Sequence, residues 1–194
     1  MEDRRIQKTK KSLKEALTRL LSHSPFELIT VTSLCKEANV SRITFYTYYG
    51  DKYELVDDFF HDILLIATEK LNKVQENSNP DDDPVIGYCN LLDVIIDIYF
   101  DYFDFLQHTQ SEESPYLYFS FYWYIMRSIE HLTSVYGRKL KPKYSVKRTT
   151  SFLCNGLWGY IHTSRMEHAD EKEIREQSKV LLMDFLACDY FRKL

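Results

Sequence analysis

Residues 30–53, TVTSLCKEANVSRITFYTYYGDKY, gather the side chains best suited to chemistry at a polyanion. Arg42 carries a planar fork that can pair bidentately with guanine, and Thr44 can donate, accept or touch a thymine methyl. Tyr46 and Tyr48 can donate hydroxyls to phosphate. Lys52 can neutralise a phosphate beside the amides that open a helix, and Thr32 sits near the start of an earlier helix. The competing reading of the set is a solvated helix face with packing tyrosines. The spacing predicts how these residues are held. Thr30 caps a helix over roughly 31–38 that buries Leu34, Cys35 and Ala38. Asn39 takes the turn, because Asn tolerates left-handed backbone. Ser41 caps a short helix over roughly 42–48, with Val40, Phe45 and Tyr49 turned inward. Such a unit can lay its second helix in a major groove.

The elements that must position this unit read as helices. Ile6, Leu13, Ala16, Leu17, Leu20 and Leu21 recur at helical spacing over 4–22, with Arg4, Arg5, Lys8, Lys10, Lys11 and Lys14 on the other faces. Ser24-Pro25 ends that helix. Gly50 ends the 42–48 helix, and Asp51 caps a long one running to about Asn77. The linker NSNPDDDP (77–84) follows, and Pro84 opens a helix to about Gln107. Its aspartates Asp93, Asp97, Asp101 and Asp104 fall within about 80° of one another at helical pitch, which predicts a wet stripe rather than a site for a cationic partner. TQSEES (109–114) predicts a loop. Ser114-Pro115 starts a helix whose residues 116–126 are so apolar that burial all round is expected. A basic loop (Arg138, Lys139, Lys141, Lys143, Lys147, Arg148) precedes helices over 145–166 and 171–191. That loop reads as solvated rather than as an anion site or second DNA contact. No strand pattern survives this reading, so the expected fold class is all-α.

The 30–53 stretch resembles the TetR family of transcriptional regulators. Thr30, Ala38, Val40, Ser41, Thr44, Phe45, Tyr46, Tyr49 and Lys52 stand where that family's pattern places a capping Thr, a small residue, the turn, the Thr-Phe-Tyr core, an aromatic and a Lys. Asn39 departs from the usual Gly and Cys35 from the usual Ala; neither threatens the turn. The resemblance implies a three-helix N-terminal head over 1–52 and a helical bundle over 53–194 for ligand binding and dimerisation. It implies a homodimer on a palindromic operator, commonly a repressor released by a small molecule. Carried over by position, the DNA contacts are Thr32, Arg42, Ile43, Thr44, Tyr46, Tyr48 and Lys52. Ile43 alone could as well pack locally.

Charge supports that division. Residues 1–52 hold ten basic and six acidic side chains, net +4, whereas 53–194 hold 15 basic and 23 acidic, net −8. A basic end on an acidic body predicts that only the N-terminus meets phosphate. In the body, Phe152, Leu153, Gly156, Leu157, Gly159 and Ile161, with Ile174, Leu181, Leu182, Phe185 and Leu186, look made for helix association; small residues let two backbones approach. In the TetR family the corresponding pair forms a four-helix bundle with its dimer mate. Closing the protomer's own core is the competing reading. Tyr99, Phe103, Tyr116, Phe119, Tyr122, Trp123 and Phe152 could line an effector chamber that favours flat or cationic ligands. A plain aromatic core explains the same residues equally well.

Several classes receive no support. Cys35, Cys89, Cys154 and Cys188 are scattered, as reduced cytosolic thiols are. His108, His131, His162 and His168 lack metal-ligand spacing, and no cofactor motif is present. No nucleophile elbow, P-loop or dinucleotide fingerprint supports an enzyme. A helical adaptor that kept the shape without binding DNA is the other rival, and the basic head argues against it. The polar start, Met1 to Lys11, is no signal peptide, and the four aspartates argue against a span over 88–105. A cytoplasmic location is expected.

Overall fold

The computed structural model describes residues 4–110, 114–136, 140–188 and 191–193; the side chains of 110, 128, 131–136, 140–141 and 191–193 fall outside that description. Arg138 and Lys139 of the expected basic loop, residues 111–113 of the 109–114 loop and the His131 side chain therefore lie outside the described residues. The described chain is helical: α1 Arg4–Leu21, α2 Val31–Glu37, α3 Arg42–Tyr48, α4 Lys52–Ser78, α5 Pro84–Asp101, α6 Phe103–Leu106, α7 Pro115–Tyr136, α8 Val146–Met166 and α9 Glu171–Ala187. Short 3-10 turns occupy Phe26–Leu28 and Gln107–Gln110. The fold is all-α as expected, with one addition. Leu140–Pro142 (β1) pairs antiparallel with Phe191–Lys193 (β2), Lys141 opposite Arg192. Three residues are too few to show a period of two, so this ribbon left no pattern in the sequence.

Packing divides the chain into two compact units, residues 1–64 with 102–121, and 65–101 with 122–194. In the first, α1 turns Leu13, Ala16, Leu17 and Leu21 inward, and Phe26, Leu34, Phe45, Leu55 and Val56 complete a core from which water is excluded. The expected single helix over 84–107 is interrupted. Tyr102 adopts φ −119° and ψ 23°, and α6 restarts beyond it. No Pro or Gly forces the break. What it gains is burial: Phe105 and Leu106 are at most 1% exposed, with Phe105 4.3 Å from the ring of Phe59 and 5.4 Å from that of Phe60. An apolar run reads the same as one helix or two, so the break was not visible beforehand.

In the second unit, Leu91, Met126, Ile129 and Cys154 form a buried cluster flanked by Leu71, Ile95, Tyr122 and Ile125. The aspartates of α5 are not the wet stripe expected. Asp93 and Asp97 accept Arg175 of α9 at 3.1 and 2.7 Å, Lys179 reaches Asp93 at 2.6 Å, and Lys70 of α4 reaches Asp101 at 2.8 Å. Asp104, on α6, stays exposed. The partners stand 78 and 82 positions away for Arg175, beyond the reach of any local pattern. All four cysteines are free thiols, Cys35 and Cys154 buried.

Candidate nucleic-acid interface

The helix-turn-helix forms as its caps dictate. Thr30 Oγ1 accepts the Ser33 amide at 3.1 Å, while Ser33 Oγ accepts the Thr30 amide at 3.0 Å, a reciprocal box that satisfies the opening donors of α2. At the far end Asn39 takes φ 54°. The Val40 amide then bonds Cys35 O at 3.0 Å and the Asn39 amide bonds Lys36 O at 3.3 Å, the doubled closure that a left-handed residue permits. Ser41 Oγ accepts the Thr44 amide at 3.0 Å and starts α3. Phe45 and Tyr49 are buried beneath it, Tyr49 donating its hydroxyl to Asp58 at 2.7 Å.

With that inner face fixed, the outer face of α3 is set. Ile43 is 83% exposed and Tyr46 50%. Arg42 is exposed as well, its guanidinium carbon 5.9 Å from the Tyr46 ring. Thr32 is exposed on the first turn of α2, and Tyr48 is half-buried. Thr44 is half-buried, and its hydroxyl bonds Ser41 Oγ at 2.8 Å, so the cap already uses it.

Lys52 departs from its expected part. Its ammonium donates to Phe26 O, Glu27 O and Ile29 O at 2.8, 2.9 and 2.9 Å, and it lies 4.5 Å from the Phe26 ring centroid. The amides that open α4 are also taken: Asp51 Oδ1 accepts those of Tyr53 and Glu54 at 2.8 and 3.0 Å. The phosphate subsite expected there is thus filled by the protein's own groups. Other head cations are likewise used internally. Lys14 is buried, bonded to Asp58 at 2.6 Å and Asp62 at 2.5 Å, and Arg19 bonds Glu37 at 2.6 Å. Counting basic residues missed this, because the partners of Lys14 lie 44 and 48 positions on.

The residues expected to line one chamber divide between the units. Tyr116 and Phe119 stand in the first, Tyr116 stacked on Phe26 and Phe119 60% exposed; Phe103 is half-buried in the same unit. Tyr99 is fully buried in the second, its hydroxyl 3.2 Å from His162 Nδ1. Tyr122, Trp123 and Phe152 do come together, in a groove of about 920 Å³ between α7 and α8. Met126, Ser151 and Gly156 add apolar and small lining, and Glu130, Lys147, Arg148 and Asn155 line it as well. Trp123 and Phe119 of α7 are 62% and 60% exposed, so α7 is not buried all round as its composition predicted.

The expected association face divides too. Leu153, Ile161 and Ile174 are at most 6% exposed and close the protomer's own core. Leu157 and Phe185 are half-buried, whereas Gly156 and Leu181 are exposed. Val180 and Met183, 60% and 50% exposed, were not singled out from the sequence.

Residues 13–59 match the family model described as "Bacterial regulatory proteins, tetR family". Over those residues the chain is similar to the N-terminal domain of that family. A search of the curated proteins finds no match. The fold resembles TetR regulators along nearly its whole length. A Syntrophomonas wolfei protein assigned to the TetR family aligns with TM-score 0.78 at 8% identity, covering 94% of this chain and 97% of that one. The fatty acid degradation regulator FadR of Bacillus halodurans gives 0.67 at 13%, covering 94% and 96%. Thermus thermophilus FadR, a TetR-family repressor in complex with lauroyl-CoA, gives 0.57 at 18%, covering 95% and 97%. At such identities the likeness shows the fold alone, and residues 13–59 are the part where the sequence itself is similar to the family. Among the described residues no helix is long and apolar enough to cross a membrane, and no cluster of His, Cys, Asp or Glu could hold a metal ion.

Proposed function

We propose that this TetR-type protein is a sequence-specific, homodimeric transcriptional regulator, acting in the cytoplasm as a repressor and not as an enzyme. The observation that carries the reading is Ile43, 83% exposed on a seven-residue helix and flanked by exposed Arg42 and Tyr46. A β-branched apolar side chain gains nothing from water, whereas against a thymine methyl it is at home. Residues 1–52 serve as the DNA-binding head, with Thr32, Arg42, Ile43, Thr44, Tyr46 and Tyr48 at the duplex, and residues 53–194 serve dimerisation and effector binding.

Two protomers meet through α8 and α9, where Gly156, Val180, Leu181 and Met183 are exposed. Half-sites about 34 Å apart need two heads. The effector occupies the α7–α8 groove. Trp123, Phe152 and Met126 suit an apolar body, and Lys147 and Arg148 suit an anionic group. An amphipathic anion of that kind accords with the lauroyl-CoA held by the Thermus thermophilus relative.

Selection of bound fragments from random duplex DNA tests the reading. Recovery of a palindrome, bound with an affinity that falls steeply as salt rises, is expected. No enrichment, with a monomer in sedimentation, overturns it.

A further inference from the structure

We infer that Lys52 and Tyr116 are positioning residues that fasten the two ends of the helix-turn-helix together, and that Lys52 does not contact DNA. The inference rests on the regulator reading above and deepens it.

Phe26–Leu28 forms a 3-10 turn, Ile29 follows, and Thr30 caps α2. Lys52 is the first residue of α4, immediately beyond α3 and Gly50-Asp51. By binding Phe26 O, Glu27 O and Ile29 O, its ammonium closes the intervening 23 to 26 positions into a ring that contains both α2 and α3. An ammonium has three protons, and all three are directed at carbonyl oxygens. Turning one toward a phosphate would take a charged donor from a carbonyl of the turn; Phe26 O would be left with the Ile29 amide at 3.1 Å, and both Phe26 and Ile29 are buried residues. Burial holds Lys52 below its ordinary range, against the pull of Glu27.

The other side of the same turn is held by residues far along the chain. Buried Ser114 accepts the Phe26 amide at 3.0 Å through its hydroxyl. Tyr116 stacks on Phe26 at 5.5 Å, meets Tyr53 edge-on at 4.6 Å and donates its hydroxyl to Asp57 at 3.0 Å. Ammonium and Tyr116 ring thus both pack against the Phe26 ring, the cation 4.5 Å from its centroid and the tyrosine stacked on it at 5.5 Å. The head that aims α3 therefore includes the first turn of α7.

The test compares full-length wild type with Lys52→Met, Lys52→Arg and Tyr116→Ala on the selected duplex, as a salt titration, with helix content checked by circular dichroism. A phosphate contact predicts that Lys52→Met flattens the salt slope by about one and that Lys52→Arg binds nearly as wild type. The positioning role predicts the reverse. All three variants weaken binding about tenfold or more with slopes parallel to wild type, because a planar guanidinium cannot direct three donors from one point at three carbonyls. A flattened slope for Lys52→Met, or wild-type affinity for either Lys52→Arg or Tyr116→Ala, overturns the inference. Wild-type protein that ignores every duplex instead sinks the regulator reading and takes the inference with it.

Discussion

Lys14 Nζ lies 2.6 Å from Asp58 Oδ2, the lysine 9% and the aspartate 26% exposed at their side chains. Asp58 also accepts the Tyr49 hydroxyl, and Lys10 stands 3.7 Å away. One carboxylate on α4 therefore ties α1 to the residue that ends α3. Burial alone would raise the Asp58 carboxyl, but the hydrogen bonds from Lys14 and Tyr49 and the charges of Lys14 and Lys10 outweigh it and hold the group below its ordinary range. A carboxylate depressed on folding stabilises above its unfolded pKa of about 3.9, and that contribution is lost as pH falls through the folded value. Asp58→Asn is expected to cost about 1–3 kcal/mol at neutral pH, since it weakens the pairing of a buried ammonium. Urea denaturation of both proteins should show the gap closing as pH drops below the ordinary carboxylate range. A gap unchanged by acid refutes the assignment.

Arg42 and Ile43 separate recognition from folding. Both are exposed, so Ile43→Ser should leave stability within about 0.5 kcal/mol in a thermal melt while weakening the selected duplex. Arg42→Ala should remove about 1–3 kcal/mol of discrimination between the selected site and a point-mutated one, leaving residual binding to any duplex. Footprinting that finds discrimination intact would move the reading role to another side chain.

Gly156 probes association, and it also lines the α7–α8 groove, so the readout is the oligomeric state. A Cβ built there meets no atom within 4 Å, so a side chain can branch from that position without a clash at its first carbon. Gly156→Arg should even favour α8 by about 0.5–1 kcal/mol, because glycine is a poor interior helix residue. It should nevertheless yield a monomer in analytical ultracentrifugation, with operator affinity reduced. A variant that remains dimeric would place the interface elsewhere.

Arg175 is the hub of the second unit, joined to Asp93, Asp97 and Glu171 at 3.1, 2.7 and 2.7 Å. Arg175→Met should lower stability by about 1–2 kcal/mol, a figure held down because the carboxylates are partly solvated. The deficit should shrink in concentrated salt, which screens what remains of the network. Equal deficits at low and high salt would mean that packing rather than charge is lost.

The sequence by itself determined whatever depends on neighbours along the chain. Thr30, Asn39, Ser41 and Asp51 each satisfy or turn backbone groups within a few residues, so α2, the turn and α3 were legible to within a residue. Apolar residues at helical spacing likewise defined α1, α4, α8 and the start of α9. The outward face of α3 follows once Phe45 and Tyr49 are known to face inward. Only the tertiary structure decided which polar side chains were already committed. Lys52, Lys14 and the α5 aspartates look solvent-bound in one dimension; in three they meet carbonyls, carboxylates and guanidinium from segments 23 to 82 positions away. It also decided the break at Tyr102 and the division of the aromatics, because hydrophobicity prescribes burial without prescribing against what. Long-range pairing is set by the packing of whole helices, and no local pattern of residue types encodes it.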